Sequence, residues 1–231
     1  MINMNENHIS KNIEKIRQNI NLACKESGRK ADDIIILGVT KTIDAEDIKK
    51  AVDEGIYHLG ENRVQEFLEK EDKIDNVKWH IIGHLQTNKV KYIIGKTFLI
   101  HSVESIKLAK EIDRLSSQKG ITTDVLIEVN VSGEESKYGI RCEDIDSFLD
   151  EIDKFNAVKV KGFMTMAPKD AADNEIRQIF RKLYKIYVDI SQKKYNNISM
   201  EYLSMGMSSD YELAILEGAN IVRVGSAMFK Q

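Results

Sequence analysis

The stretch Ile34-Ile35-Ile36-Leu37-Gly38-Val39-Thr40-Lys41-Thr42 is an apolar run that stops abruptly at a lysine between two threonines. Such a run reads as a strand buried on both faces, as in a parallel sheet. A lysine where that strand leaves the core stands at the rim, half shielded from water, where desolvation favours the neutral amine. Neutral amines attack carbonyl carbons, so the position suits Schiff-base chemistry. A lysine that only snorkels from a strand end is the other reading.

Upstream, Ile9, Ile13, Ile16, Ile20 and Cys24 recur at steps of three and four before Gly28, which predicts one extra N-terminal amphipathic helix. Downstream, Asp44 to Glu54 reads as a helix capped by Asp44 and ended by Gly55. Short apolar runs then follow at Tyr57 to Leu59, Lys78 to Ile82, Phe98 to His101, Val125 to Asn130, Lys159 to Phe163, around Tyr202, and at Ile221 to Val224. Each precedes a helical pattern, and no two are joined by a tight hairpin turn. Eight strands alternating with helices predict an α/β fold, a single closed (β/α)8 TIM barrel over residues 1–231. A doubly wound sheet is the alternative, but it would carry a glycine-rich fingerprint where this chain has Lys41. With one proline, Pro168, and no low-complexity linker, nothing marks a domain boundary.

In a barrel, chemistry gathers on the loops after the strands. Those loops hold Thr40-Lys41-Thr42, Gly60-Glu61-Asn62-Arg63, the segment from Gly83-His84 to Lys89, His101 to Glu104, Asn130 to Gly133, Met164 to Pro168, Ser204 to Asp210, and Gly225-Ser226. Ser204, Gly206, Ser208, Gly225 and Ser226 have the small side chains and free amides of a phosphate grip after strands seven and eight. Arg223, two before Gly225, faces the same side and pairs with phosphate oxygens or with a ring nitrogen. Barrel closure sets strand eight beside strand one, and so the grip beside Lys41. A lysine for an aldehyde next to a phosphate site suggests pyridoxal 5'-phosphate (PLP), although a phosphosugar fits the same layout.

The 34 Lys+Arg and 37 Asp+Glu residues give a net charge of −3, interspersed without a basic block, which favours neither nucleic acid nor an anionic membrane as partner. Cys24 and Cys142, far apart in a chain with no apolar leader or long apolar span, predict a reduced, cytoplasmic protein. His80 and His84 are four apart on a strand, too far to chelate one ion, and no metal site is expected. His80 is expected to be a hydrogen-bonded barrel residue and Trp79 a packing residue. Met164, Met166, Met205 and Met207 are either a ligand wall or ordinary core filling.

The stretches ILGVTKT, HLGENRVQE, WHIIGHLQTNK, HSVES, LIEVNVSGEESKYGI, GFMTMAP, SMGMSSDYELAI and VRVGSAMF, in this order, resemble the pyridoxal phosphate homeostasis proteins, which are alanine racemase N-terminal-domain-like. The resemblance spans nearly the whole chain. It implies a fold-type III PLP barrel with the cofactor held as a covalent aldimine on Lys41, with Asn62 near its ring and Ser208, Arg223, Gly225 and Ser226 near its phosphate or ring nitrogen. Val-Thr-Lys-Thr stands for the more usual Val-Ser-Lys-Thr, the proline common after that lysine is missing, and the sequence stops at Phe229-Lys230-Gln231, where relatives usually continue. The related racemases add a second domain carrying a tyrosine opposite the lysine, for which this chain has no room. One lysine alone predicts little turnover, so the implied role is to bind, protect and deliver PLP inside the cell, with apoenzymes as transient partners. A PLP-dependent racemase using His84, His101 or Tyr138 as second base, and a Schiff-base aldolase acting on a phosphosugar, are the alternatives.

Overall fold

The computed structural model describes residues 8–134 and 137–230. Glu135 and Ser136, inside the quoted LIEVNVSGEESKYGI stretch, and Gln231 lie outside the described residues.

The apolar run forms β1 (Ile35–Val39), preceded by α1 (His8–Glu26) and followed by α2 (Ala45–Asp53), β2 (His58–Glu61), α3 (Val64–Lys70), β3 (Lys78–Ile81), β4 (Leu99–Val103), α4 (Ile106–Gln118) and β5 (Thr123–Asn130). The two-residue β6 (Ile140–Arg141), α5 (Ile145–Ile152), β7 (Val158–Met164), α6 (Asp173–Ser191), β8 (Ile198–Met207), α7 (Tyr211–Leu216), β9 (Ile221–Val224) and α8 (Ser226–Phe229) complete the order. The strands run β4-β3-β2-β1-β9-β8-β7-β5, and β4 pairs back onto β5. The result is a closed, eight-stranded parallel barrel, the expected (β/α)8 TIM barrel.

Two local differences stand against the sequence reading. β6, which pairs only with the end of β5, was not expected. The segment after β3 forms a 3-10 turn at Thr87–Tyr92 where a helix was expected. Neither disturbs closure, because both lie outside the ring of strands.

Side chains divide between two apolar compartments. Leu37, Ile82, Leu99, Leu126, Met164 and Ile221 fill the barrel, and a larger cluster fills the layer between strands and helices. Ile9, Ile13, Ile16 and Ile20 of α1 belong to the outer layer, and α1 packs on α7 and α8. Burying each contributes about 1.5–3 kcal/mol. Asn12 ties the helix down by donating Nδ2 to Met228 O at 3.1 Å and Lys230 O at 2.9 Å. The expected cap on α2 is present, with Asp44 Oδ1 accepting from Asp47 N at 2.9 Å. Gly162 is required where β7 shifts register against β8: its φ is +143°, and a Cβ there would lie 1.8 Å from Tyr202 O.

Candidate functional site

Strand register decides which rim residues meet. Gly38 pairs with Leu59 and Val224, and Val39 with Gly60, so the chain beyond β1 is flanked by the ends of β2 and β9. Lys41 therefore shares the barrel mouth with Asn62, Gly225 and Ser226. Ser208, just past β8, joins them directly: its Oγ accepts from Gly225 N at 3.1 Å and Ala227 N at 3.2 Å. Gly206 makes the approach of β8 to α7 possible, because its φ is +86° and a Cβ would lie 2.6 Å from Ala214 Cβ.

Lys41 differs from expectation. Its side chain is exposed, not half shielded. The strand ends at Val39 and a turn begins at the lysine itself, which leaves it uncovered by the barrel wall. The turn itself is strained, since Thr42, a β-branched residue, has φ +61°. Thr42 N donates to Glu66 Oε2 at 3.1 Å and Ile43 N to Thr40 O at 3.0 Å, which hold it there.

Beneath the turn lies a buried ion pair. Lys70 Nζ donates to Glu61 Oε1 and to Thr40 O, both at 2.7 Å, and Thr40 Oγ1 donates to Glu61 Oε1 at 2.6 Å. Burial pushes the Glu61 carboxyl up while these donors pull it down. Glu61 Oε2 is buried without a hydrogen-bond partner among the described residues.

Two of the expected grip residues lie deeper than the rim. Ser204 is fully buried, with Oγ 3.0 Å from His101 Nδ1, and Arg223 is 3% exposed. Arg223 donates Nη1 to Ser204 O at 2.9 Å and Ser204 Oγ at 2.7 Å, and Nη2 to Thr165 O at 2.9 Å. Burial lowers the guanidinium to about 10, opposed by Asp210 and Glu128, and it remains a cation. Glu128 is 4% exposed, two residues beyond the interior Leu126, and burial together with Glu104 raises its carboxyl to about 7. The sequence reading missed Glu128; its signal was period-two alternation with Leu126 on β5.

The three candidate second bases occupy different settings. His101 is fully buried, with Nε2 2.8 Å from His80 Nδ1 and Nδ1 on Ser204. His84, on the rim, pairs through Nδ1 with Glu104 Oε1 at 2.8 Å and stacks on the exposed Tyr138 at 4.3 Å. Asn62, Arg63, His84, Gln86 and Lys89 line a cavity of about 240 Å³ beside the mouth. His80 is a hydrogen-bonded barrel residue as expected, and Trp79 packs edge-on against Phe67 at 5.7 Å. The methionines form no common wall: Met164 lies in the barrel, Met205 in the outer layer, and Met166 is exposed. Among the described residues no group of three or more His, Cys, Asp or Glu is arranged to hold a metal ion.

The family described as "Alanine racemase, N-terminal domain" matches residues 11–231. A pyridoxal phosphate homeostasis protein of Aquifex aeolicus is 42% identical over 219 residues, covering 94% of this chain and 95% of the relative. This chain belongs to the pyridoxal phosphate homeostasis protein family. A solved member-like structure, PipY of Synechococcus elongatus with PLP bound, superposes with a TM-score of 0.83 at 28% identity, covering 96% of this chain and 99% of PipY. An alanine racemase of Clostridium difficile shares the fold, with a TM-score of 0.74 at 16% identity, but this homeostasis-family chain spans only 56% of it. Among the described residues no helix is long and apolar enough to cross a membrane.

Proposed function

We propose that this chain binds pyridoxal 5'-phosphate at the barrel mouth and acts in intracellular PLP homeostasis, binding, protecting and delivering the cofactor without catalytic turnover. The carrying observation is the convergence of Lys41, Asn62, Ser208, Gly225 and Ser226 at the ends of four successive barrel strands. The residues present fit the group. The amides of Gly225 and Ala227 already hold one oxygen, Ser208 Oγ, in the manner in which they would hold a phosphate oxygen. The relatives' name and the PLP-bound PipY structure support the same reading.

When bound, PLP supplies an aldehyde for a lysine amine and an electron-withdrawing ring. Lys41 Nζ would be the amine offered to that aldehyde, and its exposure would leave it open to an acceptor. Asn62 would lie by the ring, and Ser208, Gly225 and Ser226 would hold the phosphate. Arg223, with Ser204 behind it, sets a fixed positive charge below the mouth, toward phosphate or ring nitrogen. The whole chain, residues 1–231, acts as one PLP-binding unit.

The second face of the site supports carriage without turnover. Both nitrogens of His101 are committed inside the barrel, and His84 is held by Glu104 and Tyr138. These contacts, made among the described residues, support the reading that neither histidine serves Lys41 as a second acid–base group. The cytoplasm, and transient encounters with PLP-dependent apoenzymes, are the setting this role requires.

The test is the visible spectrum of the protein loaded with PLP, before and after borohydride, followed by peptide mass analysis. A reducible band, with the pyridoxyl group on Lys41 and none in Lys41→Ala, is the expected result. An adduct elsewhere, or none after added PLP, removes the proposal, and racemisation at enzymatic rates removes its non-catalytic half.

A further inference from the structure

The barrel interior holds three histidines that the proposed function does not use. His58 Nδ1 lies 2.9 Å from His80 Nε2, His80 Nδ1 2.8 Å from His101 Nε2, and His101 Nδ1 3.0 Å from Ser204 Oγ. Arg223 closes the series with Nη1 on Ser204 Oγ. Strand register builds it: His80 lies opposite Gly60, two residues beyond His58, and Leu99 lies opposite His80, two residues before His101. Each ring therefore stands two residues further along its strand than the last, and the series climbs from the first residue of β2 across the barrel to β8 and β9. At its lower end, half-buried His58 borders a cavity of about 220 Å³.

Proton positions along this series follow from one end. An arginine carries only donors. Ser204 Oγ must accept from Arg223, and its own hydrogen needs an acceptor, which His101 Nδ1 supplies. His101 then carries its proton on Nε2 and donates to His80 Nδ1. His80 in turn donates from Nε2 to His58 Nδ1, leaving the His58 proton on Nε2. The reverse order would aim two donors at Ser204 Oγ and strand its hydroxyl hydrogen in the core, where an unmade hydrogen bond is expensive. Burial lowers all three imidazoles, His58 to about 4 and the other two well below their usual range, so all are neutral near pH 7.

We propose that His58, His80, His101 and Ser204 form a one-way hydrogen-bond chain, with polarity fixed by Arg223, that positions the Arg223 guanidinium beneath the barrel mouth. These are positioning residues for Arg223. The ligand that Arg223 meets rests on the proposed function, whereas the polarity of the chain does not.

The test is two-bond 1H–15N correlation NMR of the full-length protein labelled with 15N-histidine, near pH 7 and without added cofactor. His58, His80 and His101 are expected as neutral rings protonated on Nε2. A proton on Nδ1 of any of them, or an imidazolium, overturns the polarity. With PLP added, Ser204→Ala is expected to release the His101 tautomer and weaken PLP binding about tenfold, the loss of one hydrogen bond to a charged group. Ser204→Thr, which keeps the hydroxyl, is expected to restore both. Ser204→Ala with unchanged His101 signals and unchanged affinity overturns the positioning role, and if that variant does not fold, the wild-type tautomers and Ser204→Thr decide. Expected tautomers in a wild-type protein that does not bind PLP would leave the chain standing and remove the proposed function instead.

Discussion

The histidines inside the barrel and the histidine on its rim are one residue type under two kinds of control. His58, His80 and His101 hydrogen-bond one another within 2.9 Å, and burial holds them neutral. His84 stands in water, held by a carboxylate and a stacked phenol ring. At the fully buried His80 and His101 each ring nitrogen has a defined partner, because no water can replace it. On the rim water can substitute, so the same contacts leave the residue replaceable. The rigid part of this site therefore lies below the mouth and the exchangeable part on it.

The buried pair behind Lys41 is expected to show the largest effect. Lys70→Met leaves Glu61 uncompensated in the wall and should cost about 3–5 kcal/mol of unfolding free energy in denaturant titration. His80→Leu breaks the interior chain in the middle, leaving nitrogens of His58 and His101 unpaired, and should cost about 2–5 kcal/mol in the same measurement.

Acidity separates interior groups by sign. His58 has a native value of about 4 against an ordinary 6.5, so below 6.5 the unfolded chain takes up a proton that the native one does not. Relative to His58→Asn, wild type should lose stability as pH falls from 6.5 toward 4, at up to about 1.4 kcal/mol per pH unit. Glu128 has a native value of about 7 against 4.5, so the native state holds the extra proton between these values. Relative to Glu128→Gln, wild type should gain stability as pH falls from 7 toward 4.5. Equal pH profiles for the two variants would erase the distinction between the groups. The smallest effect belongs to the rim, where His84→Ala should change stability by less than about 1 kcal/mol, since its contact with Glu104 is solvated. A larger loss there would mean that the rim is as rigid as the interior.

Much of the barrel was legible because its strands are apolar on both faces and separated by amphipathic helices, a pattern that needs no knowledge of distant contacts. Lys41, Asn62, Ser208, Gly225 and Ser226 were legible as a group for the same reason, since each follows a strand and closure brings strand ends together. Ser204 and Arg223 were read in the right strands but at the wrong depth, because depth depends on where each strand stops. Glu128 and the Glu61–Lys70 pair were missed, since one charged residue within an apolar run looks the same in sequence whether it is solvated or enclosed.

Hydrophobic periodicity, a local property of the chain, was enough to set the order of elements, the closed eight-stranded barrel and the rim segments that carry its chemistry. Long-range packing leaves Lys41 clear of the wall, commits Arg223 to Ser204 and Thr165, and joins three histidines some twenty residues apart in one line. Those facts depend on strand register and on which side of the sheet a residue faces, and register is fixed by packing among strands distant in sequence.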